Sequence, residues 1–258
     1  MVIPFEPHRF QNAAAEYLAG RPAYSPRLFQ RIALLCELDR THRVLDLGCG
    51  PGQIAIALAP FVGHVTGIDP EPEMLGQARA AAPELEWIVG SSYDLPSLAP
   101  RLGRLRLVTM GRSFHWMDRP ATLAQLDEML EPDGAIALIA DEHPDVPGNA
   151  WHAAFKAITD RVGASDPAKA FRDQHWLPHE AVLLESRFHV LETIAVIESS
   201  RVPVETLVMR TRTMSSVARH AEQFADELRG VLAPFAEDGA VTEVIASRAL
   251  IARRASAG

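Results

Sequence analysis

The chain is short of lysine, cysteine and long apolar runs, and each shortage excludes something. Only two of its 25 basic residues, Lys156 and Lys169, are lysines. Nowhere do Lys and Arg alternate with aromatic residues, and the formal net charge is -8, so a nucleic-acid partner is disfavoured. Arginine in place of lysine, with many alanines, suggests a GC-rich bacterial genome, which is a statement about codons rather than chemistry. The two cysteines, Cys36 and Cys49, make no disulfide framework. No apolar run is long enough to cross a bilayer, and the opening "MVIPFEPHRF" has neither the charged segment nor the long apolar segment of a secretion signal. A cytoplasmic location is the expectation. There are no internal repeats and no low-complexity segment.

What is present suffices for a sizeable core. The 258 residues are 48% hydrophobic and 22% charged, which fits one large domain or one domain with a small cap. Residues 10–38 read as helical, broken at "GRPAYSP", where Ser25 and Pro26 fit an N-cap followed by proline at the first helical position. Short apolar strands then alternate with helices. Strands are predicted at 43–47, 64–68, 85–89, 105–110 and 135–140, with helices at 53–61, 71–81 and 120–130. Such alternation means right-handed βαβ units and a parallel sheet. Residues 141–187, rich in His, Pro and Trp, read as an inserted helical lid or acceptor region. Residues 188–258 read as two long strands, 188–198 and 241–252, joined by helix, adding an antiparallel edge to the same sheet. The expected fold is α/β, a Rossmann-like seven-stranded, mostly parallel sheet with helices on both faces. Residues 1–140 supply an N-terminal helical cover and the core.

The stretch "VLDLGCGPG" from Val44 to Gly52 ends a strand in an acid and follows it with glycine at every second position. Glycines permit positive φ and close ligand approach, and the helix that follows offers free N–H groups. The dinucleotide fingerprint requires glycine at its first, third and sixth positions. Counted from Gly48, the third is Gly50 but the sixth is Gln53. No Gly-Lys-Ser/Thr follows, so a Walker loop is excluded. A carboxylate at Asp46 would repel a pyrophosphate and welcome a cation. S-adenosylmethionine (SAM), with its sulfonium and ammonium and no phosphate, is such a ligand.

"DLGCGPG" resembles the first motif of class I SAM-dependent methyltransferases, acid-x-Gly-x-Gly-x-Gly, from Asp46 to Gly52. "GIDP" ends the second strand, with Asp69 at the spacing of a ribose-hydroxyl contact and Pro70 beside it. "SSYDLP" follows the third strand; the resemblance places adenine at Ser92, Tyr93 and Asp94, with Asp94 near the exocyclic amine. "MGRSFHW", with Arg112 and Ser113, follows the fourth strand and is similar to the "FHW" of trans-aconitate methyltransferase-like members. "EYLAGRPAY" resembles that subgroup's N-terminal segment, which implies that Tyr17 and Arg21 cover the methionine part, Arg21 pairing with its carboxylate. Cys49 belongs to the cofactor loop with Gly48, Gly50 and Gly52. The resemblance covers about residues 10–140 and implies SAM as cofactor and S-adenosylhomocysteine as product. The bland alternatives are a loop-capping carboxylate at Asp46, helix caps at Asp69 and Asp94, and a surface arginine and half-buried tyrosine at the N-terminus.

Methyl transfer needs alignment, exclusion of water, and a base only where the acceptor keeps its proton. His115, just past the fourth strand, is the first candidate for that base; alternatively it packs and orders its loop. Asp141, Glu142, His143 and Asp145 follow the fifth strand and could act as acid and base, but they lack regular metal-ligand spacing, so no metal is expected and a solvated loop is the plain reading; a substrate contact by Glu142 or His143 is less remote than a metal. Trp151, Phe155, Phe171, His175 and Trp176 either line an acceptor pocket or pack against the sheet. Arg210 and Arg212 either bind an acidic substrate or are solvated or tied to helix carbonyls. The expected function is methylation of an oxygen or nitrogen of a small molecule in bacterial specialised metabolism, without membrane or nucleic-acid partners. The alternatives are C-methylation, a SAM-binding enzyme that transfers no methyl, a non-enzymatic SAM-binding module, and methylation of a macromolecule. No residue pattern fixes the acceptor or the oligomeric state.

Overall fold

A computed structural model describes residues 20–255 except 168, 171–173, 175 and 215. The helix expected before Gly20, and with it Tyr17, lies outside the described residues. The first described helix, α1 (Pro26–Leu35), carries Pro26 in its first turn and buries Leu28, Phe29, Ile32 and Ala33 on one face. Ser25 stands at its N-cap without a side-chain cap bond. Its N–H instead donates to Ser247 Oγ at 3.2 Å.

Seven strands form one sheet: β1 (Arg43–Leu47), β2 (His64–Asp69), β3 (Glu86–Val89), β4 (Leu105–Gly111), β5 (Leu130–Glu142), β6 (Val190–Pro203) and β7 (Ala240–Arg253). Their order is β3-β2-β1-β4-β5-β7-β6. The first five pair in parallel. β7 runs antiparallel to both β5 and β6, so the reversed strand slots inside the edge and β6 is outermost. Helices α2 (Gln53–Leu58), α3 (Pro72–Ala81), α4 (Leu95–Leu102) and α5 (Arg119–Met129) are the crossovers. Strand order reverses between β1 and β4, and open α/β sheets bind ligands outside the carboxyl ends of their strands at such a point.

β1 is buried from Val44 to Leu47 because it is central and covered on both faces. Tyr24, α1, α2 and α3 pack on one face, against Val44, Leu107, Ala137, Ile139 and Ile251. On the other, α4, α5 and α7 (His179–Leu184) cover Leu45, Leu47, Val108, Met110 and Ile136. A third cluster is helical. It joins α6 (His152–Gly163) to α8 (Val204–Thr211) and α9 (Ala225–Leu232) through Trp151, Phe155, Leu207 and Leu228. The cap therefore draws on the segment after β5 and on the segment between β6 and β7, while α7 belongs to the sheet. Trp151 and Phe155 are core members, their rings 5.8 Å apart and edge to face. The Trp151 indole N–H donates to the Thr242 carbonyl at 2.7 Å.

Candidate functional site

A cavity of about 360 Å³ opens at the topological switch point, within the range of small-molecule sites. Its floor is the turn after β1. The N–H groups of Gly48 and Cys49 both donate to the Ile68 carbonyl, at 2.8 and 3.0 Å, which pins the turn to β2. Gly48 and Gly52 have φ of +72° and +84°, and a Cβ at either would come within 2.5 Å of a side-chain carbon, Ser113 Cβ or Trp87 Cη2 respectively. Only glycine fits both the dihedral and the space.

Asp69, at the end of β2, is 8% exposed and faces the cavity. Its Oδ2 accepts the Gly50 N–H at 2.7 Å and its Oδ1 the Glu71 N–H at 2.9 Å. Burial pushes its carboxyl up to about 6 against these two bonds. Glu71, two residues on, is also buried and also lines the cavity. Beyond β3 the wall is Val89 to Asp94. Ser91 and Asp94 close a reciprocal capping box, the Ser91 N–H and hydroxyl donating to Asp94 Oδ2 at 2.7 and 2.9 Å. This is the cap reading of Asp94, on a residue that nevertheless lines the cavity. Tyr93 is 62% exposed at the rim.

The β4 wall is Gly111, Arg112, Ser113, Trp116 and Met117. Arg112 holds a left-handed φ of +54°. Its N–H donates to Ile139 at 3.1 Å, its guanidinium lies 4.6 Å from the centre of the Tyr24 ring, and it pairs with Asp141. Arg112 thus ties the cavity to the end of β5.

Of the residues predicted from sequence, Gly48, Gly50, Asp69, Pro70, Ser92, Tyr93, Asp94, Arg112 and Ser113 are brought together around this cavity. Asp46 is not. It has no exposed surface, and its oxygens accept the Thr109 hydroxyl at 2.8 Å and the Ala55 N–H at 3.2 Å. Burial raises its carboxyl to about 7. It braces the start of α2 against β4, so the acids that can face a cation are Asp69, Glu71 and Asp94. Cys49 is buried and, like Gly52, does not line the cavity. Arg21 donates to the Thr213 carbonyl at 2.8 Å, away from the cavity walls. His115 also lies off the walls, its ring 4.8 Å from that of Trp116, which does line them. Arg210 is not solvated: it forms a buried pair with Glu243 and donates through Nε to the Gly20 carbonyl at 3.0 Å. Trp176 is 44% exposed beside His179; Phe171 and His175 lie outside the described residues. Among the described residues no cluster of three or more His, Cys, Asp or Glu is arranged to hold a metal, and no helix is long and apolar enough to cross a membrane.

Sequence reasoning missed Glu71, Met74, Val89 and Met117. The signal for Glu71 was there: it stands two residues beyond Asp69 in the same strand-to-helix turn.

The sequence and the fold are similar to those of known proteins. Residues 44–134 match the sequence profile of a family described as a methyltransferase domain. An uncharacterized methyltransferase of Mycobacterium tuberculosis is 26% identical over 224 residues, 87% of this chain and 85% of the relative. A trans-aconitate 2-methyltransferase of Enterobacter sp. is 34% identical over 137 residues, 52% of this chain and 51% of that protein. The solved structure of a putative type II methyltransferase from Anaeromyxobacter dehalogenans superposes with a TM-score of 0.62 at 20% identity, covering 91% of this chain and 97% of the other.

Proposed function

We propose that this chain, a class I SAM-dependent methyltransferase, methylates an oxygen or nitrogen of a small molecule. A place in bacterial specialised metabolism, in the cytoplasm, is part of the same reading. The observation that carries it is the pairing of a drug-sized cavity with a carboxylate at the end of β2 and no phosphate cradle. An ionised carboxylate has about four acceptor positions. Asp69 uses one on each oxygen for the Gly50 and Glu71 N–H groups, which leaves two for the two hydroxyls of a ribose. The residues present therefore fit SAM. Asp69, with Glu71 beside it, would hold the ribose. Ser92, Tyr93 and Asp94 would hold the adenine. The backbone at Gly48 and Gly50, with Arg112 and Ser113, would hold the amino-acid part.

When bound, SAM supplies a methyl group on a cationic sulfur that leaves with the electron pair of the broken bond, so little acid catalysis is asked of the protein. The chain's own work is to align the acceptor and exclude water. Trp116 and Met117 give the β4 wall an apolar surface for that purpose. His115, its ring 4.8 Å from that of Trp116 and off the cavity walls, is read as ordering this turn.

The test uses SAM carrying a deuterated methyl group, incubated with the protein and a bacterial metabolite extract and followed by mass spectrometry. A labelled small molecule bearing the methyl on oxygen or nitrogen is expected. Label on carbon, or tight SAM binding with no labelled product, would overturn the proposal in favour of C-methylation or a SAM-binding role without transfer.

A further inference from the structure

We infer that the opposite end of the sheet carries a second ligand site, which binds the phosphate group of a small organic phosphate ester. A cavity of about 1010 Å³ opens where β4, β5 and β6 begin and β7 ends. It shares no lining residue with the cavity of about 360 Å³ at the topological switch point. β4 separates the two. Arg104 and Arg106, which flank its first residue, line the one, and Gly111, its last residue, lines the other. Seven residues of strand put them about 20 Å apart.

The charge on this wall runs against that of the chain. The formal net charge of the protein is -8, yet five arginines line the cavity with only three carboxylates. Part of that charge is matched locally. The buried Arg106 lies against Asp133, against Glu37 at 3.2 Å and against Glu131 at 3.9 Å. Arg253 donates to Glu192 at 2.6 Å. What remains is Arg104, Arg187 and Arg254 with Asp127 alone. Asp127 Oδ1 accepts from Arg254 Nε at 2.6 Å, and its Oδ2 lies 3.3 Å from Arg187 Nε. Three guanidiniums share one carboxylate there, an excess of two positive charges.

Capping of α5 uses some of these donors and leaves others. Cationic side chains near a helix C-terminus bond its last carbonyls. Arg104 Nη1 does so with the Glu128 and Leu130 carbonyls, at 2.6 and 3.2 Å, and Arg254 with those of Asp127 and Glu131. Arg254 commits all three of its nitrogens in this way. Arg104 commits only Nη1, and Arg187, whose side chain is 76% exposed, only meets Asp127 through Nε. A guanidinium carries five N–H donors. Among the described residues, Nε and Nη2 of Arg104 and both terminal nitrogens of Arg187 therefore hydrogen-bond no acceptor.

The two incomplete forks are anchored on one stretch, residues 127–130, so both can reach one occupant. A carboxylate, with two oxygens and one charge, is satisfied by a single guanidinium. A phosphate monoester, with three terminal oxygens and nearly two charges, matches both forks and the excess of two. Leu35, Leu130, Pro132 and Ala255 supply the apolar part of the wall, a surface for the organic body of the ester. The site stands whether or not the chain transfers a methyl group.

Calorimetric titration of the full chain at low ionic strength, with phenyl phosphate, inorganic phosphate and benzoate as probes, tests this. Phenyl phosphate is expected to bind more tightly than phosphate, which lacks the apolar body, and than benzoate, which lacks the second charge. Saturating SAM is expected to leave that titration unchanged, because the two cavities lie at opposite ends of β4. Arg104→Gln with Arg187→Gln is expected to weaken phenyl phosphate binding by about tenfold or more. The SAM titration and the thermal midpoint are expected to hold in that variant, since both side chains are exposed. No binding of phenyl phosphate overturns the site, and so does unchanged binding in the double variant. Displacement by SAM overturns it too, since the anion would then sit in the cofactor cavity. Benzoate bound as tightly as phenyl phosphate overturns the phosphate class, and inorganic phosphate bound as tightly overturns the ester. Absence of a labelled product in the deuterated-methyl experiment would overturn methyl transfer and leave this site in place.

Discussion

Asp46 offers the sharpest test, because motif reading makes it a ligand for a cation and the structure makes it a brace. Replacing it by asparagine keeps its shape. The amide oxygen still accepts the Ala55 N–H, and the amide nitrogen donates to the Thr109 oxygen, whose own hydroxyl proton can turn to the Leu45 carbonyl at 3.5 Å. What the substitution removes is a buried charge. Burial lifts this carboxyl from an ordinary 3.8 to about 7. The sign follows directly: a group whose pKa is higher in the folded chain contributes stability below its unfolded pKa and loses it as pH rises through the folded one. The difference corresponds to about 4 kcal/mol in all, of which about 2 kcal/mol is lost between about pH 5.5 and about pH 8.5. Urea unfolding at those two pH values is therefore expected to show Asp46→Asn gaining about 2 kcal/mol on the wild type as pH rises. SAM affinity by calorimetry is expected to be nearly unchanged. A stability difference that does not move with pH would refute the buried, cavity-remote placement of Asp46. A collapse of SAM affinity in a folded variant would restore it as a ligand.

Two further outcomes bear on the same turn. Asp69→Ala is expected to weaken SAM binding by about tenfold or more, since a charged hydrogen-bond acceptor is lost. Because the carboxyl sits at about 6, wild-type affinity is expected to fall as pH drops below that value and the charged acceptor is protonated; calorimetry showing affinity unchanged in the variant or flat across that range would remove the ribose from Asp69. Gly52→Ala places a Cβ 2.5 Å from Trp87 Cη2 at a φ of +84° and is expected to cost about 2–4 kcal/mol in urea unfolding. An unaltered midpoint would contradict the packing of Trp87 beneath the loop.

How much of this was legible in the sequence depends on how local the cause is. β1 and its glycine turn were readable because an apolar run and three left-handed glycines are signals within nine residues. The C-terminal strands were recognised but cut short. β6 runs to Pro203 rather than stopping near Glu198, because "SSRVP" has no apolar alternation and its strand character comes from pairing with β7, Ser199 against Val244 through Pro203 against Ala240. The role of Asp46 was misread since the motif gives the residue type but not which way it points. Trp151 and Phe155 were left between pocket and core; the core takes them, through partners on α8 and α9 that lie far along the chain. The link from His143 to Glu243 spans 100 residues, and no periodicity carries information over that distance.

The pair between Arg210 and Glu243 is hard to explain by stability. Removing two charges from water is repaid only by excellent geometry, and apolar substitutes of similar volume are often neutral or better. Its placement suggests another use. Arg210 comes from the helical cap, Glu243 from β7, and the Arg210 Nε–H donates to the Gly20 carbonyl at 3.0 Å. One guanidinium therefore ties together the sheet, the cap and the segment leading into α1, adding to the Ser25–Ser247 and Arg21–Thr213 links between the same parts. An apolar pair would fill the same space but would let these parts slide, and it would remove the carboxylate 2.8 Å from the His143 ring. The buried charge is best understood as fixing how the cap sits on the sheet, just as Asp69 with its two backbone N–H groups fixes the turn after β1 against the start of α3.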